Sequence, residues 1–111
     1  MGNFRFGAAL TAILMLVAGL APVSAQTIKV GSKNFTEQYI LAEIYAAALE
    51  NAGFKVERKI NLGGTLIAHA AITSGEIDLY PEYTGTALIS VVKTAISSDP
   101  QKVYDEVKAF Y

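Results

Sequence analysis

From Asp78 to Thr86 the chain reads Asp-Leu-Tyr-Pro-Glu-Tyr-Thr-Gly-Thr, and here the side chains best suited to recognising a small molecule gather. Tyr80 and Tyr83 lie three apart around Pro81. Electron-rich tyrosine faces attract soft cations, and several together cage a quaternary ammonium. A core role is the competing reading for each ring. In strand alternation Tyr80 shares a face with Asp78, which leaves it partly exposed. Thr84 and Thr86 add hydroxyls around Gly85, and backbone N–H groups open the next element. Asp78 and Glu82 are near enough in sequence for general acid–base work. No His or Lys in the motif completes a proton-transfer set, so solvation or helix capping is their ordinary role. Without a nucleophile–base pair the corner favours recognition over reaction, and no catalytic residue is assigned.

Three other candidates lie outside this corner. Lys33, in the loop after the first predicted strand, is a flexible point charge able to meet a ligand carboxylate. A surface lysine is the ordinary reading for it. His69, the single histidine, sits among Ile67, Ala68, Ala71 and Ile72 and lacks a second metal ligand, so it reads as structural or surface. Leu62-Gly63-Gly64-Thr65 has two glycines without the spacing of a nucleotide fingerprint. The chain has no cysteine, which removes disulfides and thiolate metal sites, and no metal or cofactor is expected.

The elements that must position these groups follow from periodicity and punctuation. Thr27–Gly31 predicts a short strand and Ser32–Phe35 a polar loop. Ile40, Leu41, Ile44, Tyr45, Ala48 and Leu49 recur at helical spacing. They predict an amphipathic helix over Thr36–Ala52, with Thr36 as N-cap, Glu37 in the first turn and Gly53 past the end. Phe54–Ile60 alternates, with Phe54, Val56 and Ile60 on one face and Lys55, Glu57 and Lys59 on the other. Leu62–Gly64 is a turn, Thr65 a second N-cap, and Leu66–Ser74 a short helix stopped by Gly75. Ile77–Tyr80 is a third strand, ended by Pro81, which has no N–H for a ladder. This order implies an α/β fold with a mostly parallel sheet, whose strand-end loops are the usual ligand site. Ala87, Leu88, Val91, Val92 and Ile96 predict a further helical stretch. Ser98-Asp99-Pro100 starts a last helix striped by Val103, Val107, Phe110 and Tyr111. That stripe runs into the last residue, so the chain reads as a fragment in which Val103, Phe110 and Tyr111 expose apolar surface.

Residues 1–25 carry Arg5, an apolar run from Phe6 to Leu20, and Val23-Ser24-Ala25, the pattern of a secretory signal peptide cleaved after Ala25. An uncleaved anchor is the rival, disfavoured by the shortness of the run and by Pro22. Residues 26–111 hold eight basic and ten acidic side chains, a net charge of −2. A basic nucleic-acid surface is excluded. An exported protein without an anchor or a lipid-modified cysteine fits a Gram-negative periplasm.

Three stretches, Gly31–Gln38, Asn61–Thr65 and Gly75–Thr86, together resemble the substrate-binding proteins of osmoprotectant ABC importers, of the glycine betaine/carnitine/choline type. They occur in family order between residues 31 and 86. The resemblance implies a two-lobed periplasmic binding protein of the second type, of which this chain supplies the first part of the first lobe. It implies a quaternary-ammonium ligand, and permease and ATPase subunits as partners. It implies that Lys33 and Thr86 contact a betaine carboxylate while Tyr83 faces the ammonium; Tyr80 is a further ligand-binding candidate on its ring chemistry alone. Threonine at position 86 leans toward a carboxylate-bearing ligand. The alternatives are an exported α/β enzyme acting on a small cationic metabolite and a membrane-anchored sensor domain.

Overall fold

The computed structural model describes residues 26–111, so the signal-peptide reading of residues 1–25 lies outside the described residues. Strand β1 (Ile28–Lys33) is followed by helix α1 (Thr36–Asn51), strand β2 (Val56–Gly63) and helix α2 (Thr65–Thr73). A four-residue helix α3 (Thr84–Ala87) runs into a π-helical turn over Leu88–Val92, and helix α4 (Pro100–Phe110) closes the order. β1 and β2 pair in parallel, Ile28 opposite Val56 and Gly31 opposite Lys59, with an irregularity before Lys33 meets Gly63. The fold is α/β, as the strand and helix periods predict.

The third predicted strand contracts to one parallel bridge, Val30 to Leu79. The cause is local. The Lys29 N–H donates to the Asp78 carboxylate at 2.7 Å, so a side chain takes the place of a backbone acceptor. Pro81, buried two residues beyond the bridge, has no N–H to extend the ladder. Two backbone bonds, Asp78 N–H to the Lys29 carbonyl and Gly31 N–H to the Leu79 carbonyl, both 2.8 Å, still hold the segment against β1. β1 therefore lies between β2 and the segment that leads into the tyrosine corner.

The core on the α1 side is built from Val30, Ala42 and Ala46, with Ile28, Leu49, Val56, Ile60 and Leu79 packed on it. This corrects the predicted face of α1. Ile40 and Ile44 are more than half exposed and Tyr45 is exposed too, while Ala42 and Ala46 are buried. Alanines let the helix axis approach the sheet closely, and Leu49 at the end of the same stripe fills the remaining space. Thr36 and Thr65 are the first residues of their helices and not their caps: Phe35 and Gly64 hold the cap positions, without side-chain bonds. β2 starts at Val56, two residues after the predicted Phe54, which is exposed. Of the apolar residues predicted to be exposed at the chain's end, Phe110 and Tyr111 are exposed but Val103 is buried.

Punctuation read from sequence is borne out at Gly53, Gly75 and Asp99–Pro100. Gly53 and Gly75 take positive φ of 92° and 77° past their helices. Asp99 caps α4, its carboxylate accepting from the N–H of Gln101 and Lys102, with Pro100 at the first helical position. Lys93 ends the π-turn in the left-handed region at φ 63°.

Gly63 joins β2 to α2 with φ +146°, and an added Cβ would stand 3.0 Å from the Ile67 side chain. Gly63→Ala is expected to cost about 2 kcal/mol through backbone strain and overpacking. At Gly64 φ is −74° and a Cβ meets nothing within 4 Å. Gly64→Ala is therefore expected to stay within about 0.5 kcal/mol of the parent. Paired urea titrations of the two variants check the contrast.

Candidate functional site

β1 delivers Lys33 at its C-terminal end, the edge where parallel sheets present ligand sites. Its position between flanking segments explains why this side chain, unlike an ordinary lysine, is 2% exposed. A buried ammonium needs partners. Lys33 Nζ donates to Glu82 Oε1 at 2.5 Å and makes a long contact of 3.5 Å to the Thr65 hydroxyl. Its main-chain N–H donates to Gln38 Oε1 at 3.2 Å from the first turn of α1. The surface reading of Lys33 is thus corrected.

Two aromatic rings complete the surroundings of the ammonium. The Tyr83 centroid lies 4.9 Å from Lys33 Nζ and that of Phe35 5.7 Å. The two rings stack, with centroids 6.2 Å apart and planes 23° off parallel. Both distances are within the range at which a ring quadrupole attracts a cation.

Glu82 organises the corner. It accepts from Lys33, from the Tyr83 N–H at 2.8 Å, and through its other oxygen from the Tyr80 hydroxyl at 3.1 Å. The Tyr80 hydroxyl is pushed well above the usual tyrosine range, chiefly by burial, then by the Tyr111 hydroxyl and the Glu82 charge beside it. Tyr80 therefore stays a protonated donor to Glu82. Asp78 does not join this network: its carboxylate is spent on the β1 backbone.

Tyr80, Glu82 and Tyr83 form one wall of a half-open cavity of about 190 Å³, also lined by Ile72, Val107 and Tyr111. It is smaller than pockets for drug-sized ligands and suits a solute of few heavy atoms. The Tyr83 hydroxyl and the Gln38 side-chain amide N–H are buried and have no partner among the described residues. Buried polar groups are normally paired, so these two are unspent hydrogen-bonding capacity close to the site.

The structure thus joins Lys33, Tyr83 and Tyr80 through Glu82. Thr86 stands apart, half-buried on α3, outside both the Lys33–Glu82 network and the cavity wall. His69, read as structural or surface, has its Nδ1 2.9 Å from the Tyr111 hydroxyl at an exposed contact, and its ring packs on Phe110 and Tyr111. Sequence reasoning missed Phe35, Gln38 and the structural importance of Glu82. For Glu82 the only signal was its place in the motif between Pro81 and Tyr83.

A family model described as the substrate binding domain of ABC-type glycine betaine transport system matches residues 26–111. The chain is 39% identical over 99 residues to the glycine betaine-binding protein YehZ of Escherichia coli strain K12, covering 86% of this chain and 32% of that protein. It is 36% identical over 92 residues to the carnitine transport binding protein OpuCC of Listeria monocytogenes, covering 81% and 30%. The structure of apo YehZ superposes with a TM-score of 0.70 at 39% identity, over 78% of this chain and 31% of that one. The chain spans about a third of the length of these curated relatives.

Proposed function

Because this chain belongs to the family of substrate-binding domains of ABC-type glycine betaine transport systems, we propose that it contributes to capturing a small quaternary-ammonium solute for import. The protein works in the periplasm and hands its ligand to a membrane permease driven by an ATPase. In this reading it binds its ligand and does not transform it, as the names of its relatives as transport binding proteins support. The observation that carries the reading is the pair of rings, Tyr83 and Phe35, already wrapped around an ammonium, that of Lys33. Of the two rings only Tyr83 also lines the cavity, and a ring that attracts a protein cation has the electrostatics for a ligand cation.

A betaine carries a fixed charge that cannot donate hydrogen bonds, so only aromatic faces, dipoles and carboxylates hold it. Its own carboxylate needs donors. In this reading Tyr83 faces the methylated ammonium and Tyr80 extends the aromatic wall. Lys33 meets the carboxylate, and the Thr86 hydroxyl, which stands apart from the Lys33–Glu82 network, is its proposed second donor, a pairing that favours glycine betaine, proline betaine or carnitine over choline.

The test is calorimetry on the protein expressed from its complete native gene, titrated with glycine betaine, carnitine and choline, with proton NMR of the recovered ligand. Saturable binding and unchanged ligand are expected. Chemical conversion of the ligand would support the exported-enzyme alternative, and the absence of heat with all three would remove the assignment.

A further inference from the structure

We propose that Glu82 sets the ligand's charge preference, by neutralising Lys33 before any ligand arrives. The inference rests on the betaine-binding reading and adds a residue which that reading does not use. Lys33 is 2% exposed and Glu82 14%, so the pair sits largely out of solvent. Glu82 is held in place from three directions: the Lys33 ammonium, the Tyr80 hydroxyl and the Tyr83 N–H. It also lines the cavity beside both tyrosines. The corner consequently presents no uncompensated positive charge. A ligand carboxylate that reaches Lys33 must share it with Glu82, while a ligand cation near Tyr83 feels the Glu82 carboxylate as well as the ring. Glu82 therefore penalises the carboxylate end of a zwitterion and rewards its ammonium end. It narrows the advantage of glycine betaine over choline, which has the same trimethylammonium head and no carboxylate.

Glu82→Gln tests this, because it removes the charge and keeps a carbonyl oxygen to accept from the Tyr83 N–H, while its amide N–H donates to the Tyr80 hydroxyl in place of the second carboxylate oxygen. With an effective dielectric of about 40, between the protein-surface and bulk-water values, deleting a unit charge about 6 Å from the ligand changes affinity by about tenfold. The ratio of the choline Kd to the glycine betaine Kd is expected to rise by about tenfold in E82Q. Glu82→Asp, which keeps the charge, is expected to hold that ratio within about threefold of the parent. Both are measured by calorimetry on the protein from its complete native gene. If E82Q weakens or strengthens both ligands by the same factor, or if E82D shifts the ratio as far as E82Q does, the proposal is overturned while betaine binding stands. If the parent binds neither ligand, both readings fall together.

Discussion

Replacing Tyr83 with alanine is expected to weaken glycine betaine binding by about thirtyfold. A cation over a tyrosine face is worth about 2 kcal/mol when it is shielded from water. At 1.4 kcal/mol per tenfold, that sets the size of the loss. The main-chain N–H of residue 83 remains to donate to Glu82, so the ring itself is what the substitution removes. Tyr83→Phe separates ring from hydroxyl. The hydroxyl has no partner among the described residues, so phenylalanine is expected to stay within about threefold of the parent in affinity. Titration calorimetry of the two variants with glycine betaine decides the matter. An alanine variant with parental affinity would place the ligand elsewhere.

Lys33→Met is expected to be the more damaging change to the fold, lowering stability by about 3 kcal/mol. Methionine matches lysine's length, so little packing is lost. The cost comes from Glu82, left largely buried without its cation. Two donors to Glu82 survive, from Tyr80 and Tyr83, and they keep the figure toward the low end of what breaking a buried pair costs. The double variant Lys33→Met with Glu82→Gln removes both charges and is expected to recover most of the loss. Urea denaturation of the parent, both single variants and the double gives the coupling energy directly. Additive losses would show that the pair is incidental to the fold.

What could be read in the sequence was what neighbours along the chain decide. The positive φ at Gly53 and Gly75, the Asp99–Pro100 helix start and the parallel β1–β2 unit all depend on a few adjacent residues or one period. The tyrosine corner was recognisable because Tyr80, Tyr83 and Pro81 lie within four positions. What was not readable depends on distant partners. Helix α1 has two apolar stripes, and only the sheet decides that Ala42 and Ala46 turn inward while Ile40 and Ile44 stay out. The third strand failed because Asp78 found the Lys29 N–H, a contact across 49 residues. Lys33 looked like any exposed lysine until Glu82, equally distant, was brought against it.

The same separation bears on how the protein acquires and loses its shape. β1 and β2 meet through one helix, Ile28 against Val56. The recognition corner exists only once a much longer excursion of the chain has closed, since Lys33 and Glu82 are 49 positions apart. Non-local contacts of this kind tend to form late, after the rate-limiting crossing. A solute held by Tyr83 and Lys33 would then leave the speed of folding nearly untouched and act as a brake on unfolding, prolonging the lifetime of the native state.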